Sequence, residues 1–221
     1  MNEIKVPQLF KNRSEFYRGL DTLEQWEKFL SEHQNTLGIG FIGRSNVGKS
    51  SMINSLFGKK MARTSNTPGR TRQINVFKLS FPVDSTTNRD IFYYDLPGYG
   101  HAAVSKEQKK LWQSLIDSFF GNIDSKSLLI QIQDARHPMM AADKEFSSYM
   151  QQYPFKHFLL FNKIDKLKTQ KERSVLEKLK PLIYKTYKSV SQIYFTSTEN
   201  YMGLESLENN IHQYFIGQDS V

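Results

Sequence analysis

The chain has 221 residues, 38% of them hydrophobic and 24% charged, a composition that fits one well-packed domain with a short extension and not two large domains. It contains no cysteine, which excludes disulfides and thiolate metal sites, and no apolar run approaches the ~20 residues of a membrane-spanning helix. The net charge of +8 and pI near 9.4 point to a polyanionic partner, either nucleic acid or an anionic membrane.

The N-terminal run Met1-Asn2-Glu3-Ile4-Lys5-Val6-Pro7 lacks the apolar core of a secretion signal, so a cytoplasmic protein is expected. Residues 1–36 read as an extension whose helix, with Leu23, Trp26, Phe29 and Leu30 at helical spacing, packs on a main domain over 37–221. Strands are expected over 37–42, 73–81, 90–95, 127–133, 157–162 and 191–196. Helices are expected near 49–57, 106–120, 142–152, 169–187 and 203–215. Two strands in succession, joined by turn chemistry between Pro82 and Asn88, predict one antiparallel hairpin. The remaining βα alternation predicts an α/β fold: a six-stranded, mostly parallel sheet with one antiparallel strand and helices on both faces. Ligands of such sheets sit at the carboxyl ends of the strands.

The chemistry-bearing motifs fall there. Gly43-Arg44-Ser45-Asn46-Val47-Gly48-Lys49-Ser50-Ser51 lies between an apolar strand and a helix start, so its backbone N–H groups aim at a polyphosphate. Lys49 adds a point charge to the β- and γ-phosphates, and the Ser50 hydroxyl can ligate Mg²⁺. Asp95-Leu96-Pro97-Gly98 ends another strand. Asp95 can hold the Mg²⁺ water shell, and Gly98 can bring its N–H to the γ-phosphate. Between these motifs, Gly69, Arg70 and Thr71 sit in a polar segment that reads as a switch, with the Thr71 hydroxyl binding Mg²⁺ when a γ-phosphate is present.

Asn162-Lys163-Ile164-Asp165 ends a further buried strand. The Asp165 carboxylate can accept from the N1–H and 2-amino group of guanine, a donor pair that adenine lacks. The Lys163 stem can lie along the base, and Asn162 can tie this loop to the phosphate loop. Phe195-Thr196-Ser197-Thr198 ends the last strand, with backbone amides expected to bind the guanine O6. Lys49, Thr71 and Gly98 are the candidate catalytic groups, and Ser50, Thr71 and Asp95 the candidate metal ligands. Bases cluster at Lys59, Lys60, Arg63, Arg70 and Arg72, and again from Lys163 to Lys188, where a solvated helix face is the alternative reading.

Together these motifs resemble the translation-factor-related GTPases and, within them, the EngB family. The resemblance covers nearly the whole chain from about residue 20, and rests on residues 43–51, Thr67-Pro68-Gly69-Arg70-Thr71, Asp95-Leu96-Pro97-Gly98-Tyr99-Gly100 and Asp134-Ala135-Arg136-His137-Pro138. It implies a Ras-like G domain, Mg²⁺-dependent hydrolysis of GTP to GDP and phosphate, and a role in assembling the large ribosomal subunit. It also implies a link to cell division and septation. The partners expected are ribosomal RNA and proteins, with no stable membrane association, and the protein is expected to be a monomer.

The chain departs from the family pattern at Arg72 (usually Gln), at His101 and Ala103 (commonly Tyr and Lys) and at Asn162 (often Thr); none of these removes a phosphate or metal ligand. Tyr99 stands where Ras-like proteins carry a water-orienting Gln, which predicts turnover at the low end of the ~10⁻⁴ to 10⁻² s⁻¹ range of unassisted GTPases. No arginine is obviously placed as a finger, although Arg70 in the switch segment is a candidate, so a partner or a bound cation is expected to supply acceleration. In related GTPases an Asn at the position of Asn46 helps coordinate K⁺; the alternative is that Asn46 only shapes the loop. Two competing functions remain open at this level: a P-loop nucleoside or nucleotide kinase, and a membrane-associated scaffold GTPase that uses the basic helix on anionic lipid.

Overall fold

A computed structural model describes residues 5–33, 37–58, 73–100 and 106–217. Gly69, Arg70 and Thr71, the basic residues Lys59, Lys60, Arg63 and Arg72, and His101 and Ala103 lie outside the described residues.

In chain order the elements are β1 (Ser14–Leu20), α1 (Leu23–Glu32), β2 (Gly38–Gly43), α2 (Lys49–Phe57), β3 (Ile74–Pro82), β4 (Asn88–Asp95) and α3 (Lys106–Asn122). There follow β5 (Leu128–Asp134), α4 (Ala141–Met150), β6 (Lys156–Asn162), α5 (Gln170–Thr186), β7 (Val190–Phe195) and α6 (Leu204–Ile216). The strands form one sheet in the order β1-β3-β4-β2-β5-β6-β7. β3 pairs antiparallel with both β1 and β4, and the other pairings are parallel, so β3 alone runs against the rest.

The sheet has seven strands where the sequence reading expects six. The additional one is β1, from the N-terminal extension, lying on the free edge of β3 with Ser14 opposite Leu79 and Leu20 opposite Ile74. Its residues are mostly exposed or half-buried, and Phe16 is 58% exposed, so no alternation of buried and polar positions announces it.

Strand alternation divides the core into two layers. Ile39 and Phe41 of β2, Tyr93 of β4, Ile130 of β5 and Leu160 of β6 face Ile53 and Leu56 of α2 and Leu207 and Ile211 of α6. On the opposite face Ile42, Tyr94 and Leu129 meet Trp26 and Phe29 of α1, Phe119 of α3 and Phe146 of α4. Leu159 and Phe161 of β6 pack under Leu176 and Ile183 of α5. The extension is held at two further points. Phe10 is fully buried against Phe57 and Phe81, and the Glu208 carboxylate on α6 accepts from the backbone N–H of Gln8 and of Phe10, each at 3.1 Å.

A nucleotide-shaped site at the strand ends

The carboxyl ends of β2, β4, β5, β6 and β7 converge on one edge of the sheet, with β2 between β4 and β5. Between β2 and α2 the chain makes the phosphate loop, and the conformations it needs are visible in its residues. Gly48 is the N-cap of α2 at φ 98°, a left-handed backbone that glycine adopts without strain. A Cβ there would run into Nδ2 of Asn162. Asn46 is also left-handed, at φ 64°, as short polar side chains tolerate. The reading that Asn46 shapes the loop therefore has a backbone observation behind it.

Starting at the helix N-terminus, the amides beyond Gly48 carry the positive end of the α2 dipole toward an incoming anion. Lys49 opens the helix, and its Nζ is paired with the Asp95 carboxylate at the end of β4. Burial lowers the Lys49 ammonium to about 7, so its charge depends on anionic neighbours such as Asp95 and a phosphate. Asp95 is itself buried, at 3% exposure. A hydroxyl at Ser50 and a buried carboxylate at Asp95 form an all-oxygen donor set, which suits a hard divalent cation. Among the described residues no cluster of three or more His, Cys, Asp or Glu could hold a metal alone. Ser50 and Asp95 would suffice for Mg²⁺, which takes one or two protein ligands and completes its shell with phosphates and water.

Gly98 lies against the loop from the β4 side. A Cβ on it would sit 2.8 Å from the carbonyl oxygen of Gly43 and 3.7 Å from the Ser45 nitrogen. Tyr99, next in sequence, bridges Arg44 in parallel register. Leu96 and Pro97, also among the sequence candidates, serve as spacers: Leu96 is fully buried and its N–H donates to the Phe41 carbonyl at 3.0 Å, while the Pro97 carbonyl accepts from the Trp112 indole at 3.2 Å.

The base-side loop follows β6. Asn162 is fully buried and donates from Nδ2 to the Val47 carbonyl at 3.0 Å, so it ties this loop to the phosphate loop as the sequence predicts. Lys163 is left-handed, at φ 68°, and its ammonium reaches the Asn46 carbonyl and lies 3.2 Å from Asp134 Oδ2. Ile164 opens the single 3₁₀ turn Ile164–Lys166, and its N–H donates to the Thr196 carbonyl at 3.2 Å. Burial disfavours the Asp165 carboxylate, but the Ser197 hydroxyl at 2.6 Å and Lys166 at 3.1 Å outweigh it, and its pKa falls below the usual range. Asp165 is thus held as an oriented anion, the form that accepts from two N–H donors.

Phe195, Thr196 and Ser197 take a different part from the one expected. The Thr196 N–H donates to the Phe161 carbonyl at 2.9 Å and the Ser197 N–H to the Met202 carbonyl at 3.0 Å, so neither amide is turned toward a base. Ser197 acts instead through its side chain, positioning Asp165 and accepting from the N–H of Glu199 and Asn200. Phe195 serves packing: its ring meets Phe161 and lies 4.4 Å from the Lys180 ammonium.

Residues that sequence reasoning assigns no role complete the surroundings. Asp134, at the end of β5, is opposed by burial yet brought down to about 2 by Arg136 and Lys163, and so anchors the Lys163 ammonium. Asp143 on α4 is fully buried and receives Arg44 on both of its oxygens at 3.0 Å. Asp143 carries no local signal, because its side-chain partners Arg44 and Tyr99 lie at other strand ends; Asp134 stands in a family motif beside its partner Arg136, but its hold on Lys163 is not written there.

Comparisons with known proteins agree with this geometry. A family model described as "50S ribosome-binding GTPase" matches residues 38–163. The chain is 35% identical over 183 residues to a probable GTP-binding protein EngB of Mycoplasmopsis synoviae, covering 83% of this chain and 91% of that protein. It is 45% identical over 136 residues to the corresponding protein of Pelodictyon phaeoclathratiforme, covering 61% of this chain and 66% of that one. Among solved structures, a probable GTP-binding protein engB is 26% identical with a TM-score of 0.57, over 82% of this chain and 99% of that one. Era of Aquifex aeolicus, at 22% identity and TM-score 0.60 over 82% of this chain and 57% of that one, shares the fold.

Proposed function

Because the chain belongs to the EngB family of Ras-like, GTP-hydrolysing proteins, we propose that it is a nucleotide-dependent assembly factor for the large ribosomal subunit. One observation carries the nucleotide part of this reading: the anionic Asp165, oriented by Ser197, shares a rigid frame with the phosphate loop through the Asn162–Val47 bond. A guanine at Asp165 and a polyphosphate at Gly48 and Lys49 are thereby bound as one ligand. An adenine would leave Asp165 without its two donors, which costs several kcal/mol of discrimination. That contrast disfavours a nucleoside kinase.

Hydrolysis is phosphoryl transfer to water, and the protein contributes positioning and charge stabilisation. Lys49 and the α2 N-terminal amides stabilise the charge on the transferring group. Gly98 brings a backbone N–H beside the loop that holds the phosphates. Ser50 and Asp95 are the residues that would hold Mg²⁺, which would supply neutralisation of phosphate charge. Tyr99 cannot orient the attacking water, because its hydroxyl is committed to Asp143 and Gln131 within the core. Slow intrinsic turnover follows, with acceleration supplied by a partner. Asn46 would help hold K⁺, which would supply a further acceleration in this reading; equal hydrolysis rates in KCl and NaCl would remove it.

The ribosomal part draws on the family description and on the charge. A surface of +8 suits ribosomal RNA, and among the described residues no helix is long and apolar enough to cross a membrane. A cytoplasmic location, a monomeric state and a role in cell division and septation belong to the same proposal. The test is co-sedimentation with ribosomal subunits in GDP, GTP and a non-hydrolysable GTP analogue. Analogue-dependent association with the large subunit is expected; association with liposomes in preference to the subunit would favour the scaffold reading.

A further inference from the structure

A polar network joins four pieces of the chain behind the phosphate site: Arg44, Tyr99, Gln131 of β5 and the stretch from His137 into α4. Asp143, in the first turn of α4, has no solvent exposure, and every bond to its carboxylate is accounted for. Arg44 Nε donates to both oxygens at 3.0 Å, the Tyr99 hydroxyl donates to Oδ1 at 2.9 Å, and the Met140 N–H donates to Oδ2 at 3.1 Å. Tyr99 in turn accepts from Gln131 Nε2 of β5 at 2.7 Å, and Gln131 Oε1 accepts from Ser147 of α4 at 2.9 Å. Arg44 is pinned a second time by the His137 carbonyl at 3.1 Å. The Tyr99 ring stacks on Phe146 at 4.6 Å with the planes 8° apart.

We propose that Asp143 is a positioning residue for the γ-phosphate: by clamping Arg44 and Tyr99 together it fixes the Gly98 N–H against the phosphate loop and so favours triphosphate over diphosphate. The inference rests on the guanine-nucleotide reading of the site and adds a determinant 99 residues from Arg44 in sequence. Its logic is geometric. Arg44 belongs to the phosphate loop, and Tyr99 immediately follows Gly98. The two are bridged through their backbones, and one carboxylate holds both side chains. On the nucleotide reading the α- and β-phosphates would be held by residues 46–50 at the start of α2, which follow Arg44 in the chain, so a diphosphate would not need the clamp.

Burial pushes the Asp143 carboxyl up from the usual range, and Arg44 beside it opposes that rise. Replacing Asp143 therefore leaves Arg44 without its partner in a mostly buried position, and the variant pair is chosen accordingly. Tyr99→Phe keeps the stack on Phe146 and removes only the hydroxyl; Asp143→Asn keeps the shape and removes the charge. The experiment measures affinity for GDP and for a non-hydrolysable GTP analogue by calorimetry on the full chain, together with kcat and KM for GTP. In both variants analogue affinity is expected to fall about tenfold, the scale of one hydrogen bond to a charged group, with GDP affinity within twofold and kcat lowered. A role confined to stability would lower the melting temperature and weaken both nucleotides alike. That result, or an unchanged analogue-to-GDP ratio in Tyr99→Phe, overturns the inference and leaves the nucleotide site standing. An unaltered chain that bound neither nucleotide would overturn both.

Discussion

At the residue scale, the site is a set of side chains whose ionisation is fixed by their neighbours. Asp165 accepts from Ser197, and only its ionised form accepts from guanine on both oxygens. Asp165→Asn replaces an acceptor pair by one acceptor and one donor. GTP affinity should fall by at least about a hundredfold, and the xanthine nucleotide, with a carbonyl in place of the 2-amino group, should gain; competition binding with the two nucleotides measures both. His157 illustrates the opposite case. Both of its ring nitrogens are buried on β6 without a partner among the described residues, and burial lowers its pKa to about 3. Between pH 6.5 and 3 the unfolded chain binds the proton and the folded chain does not, so stability falls as pH falls through that window. The loss from this one group is about 2 kcal/mol between pH 7 and pH 5, and His157→Leu should flatten the dependence of the urea midpoint on pH.

The element scale separates what was legible in the sequence from what was not. The phosphate loop, Asp95 and the 162–165 loop were legible because each is a contiguous run whose chemistry depends on its own backbone. β1 was not, because a half-exposed edge strand such as Ser14–Leu20 leaves no periodic apolar pattern. Asp143 was not, because an acid in the first turn of α4 reads as a helix-dipole complement, and its partners Arg44 and Tyr99 come from another strand end. Ser197 stands at the end of its strand with its amide bonded to the Met202 carbonyl and its hydroxyl on Asp165, a pairing across 32 residues that no local pattern announces. The N-terminal extension depends on a similarly invisible contact. Glu208→Ala would orphan the N–H groups of Gln8 and Phe10. A loss of about 2–4 kcal/mol is expected, with faster amide exchange in β1, and denaturant melts with exchange mass spectrometry read out both.

At the scale of the whole molecule, charge and switching have to work together. If the partner is ribosomal RNA, as proposed, a chain with a net charge of +8 would bind its phosphates whichever nucleotide is present, and the nucleotide would govern geometry and not charge. Binding to the large subunit should therefore weaken with salt at nearly the same log–log slope in GDP and in the GTP analogue, while the intercepts differ. A slope that changed with nucleotide, measured by sedimentation across a salt series, would place the switch in the electrostatic contacts themselves.

The anchoring of the extension by Glu208 has a temporal side. Gln8 and Phe10 lie 200 and 198 residues upstream of the carboxylate that receives them. At translation rates of 5–20 residues per second, that interval is about 10–40 s. Through it the aromatic ring of Phe10 emerges from the tunnel without the last helix that seals its niche. Phe10 is therefore left uncovered during synthesis until α6 has been made, and the extension is secured only after every strand of the sheet has been synthesised.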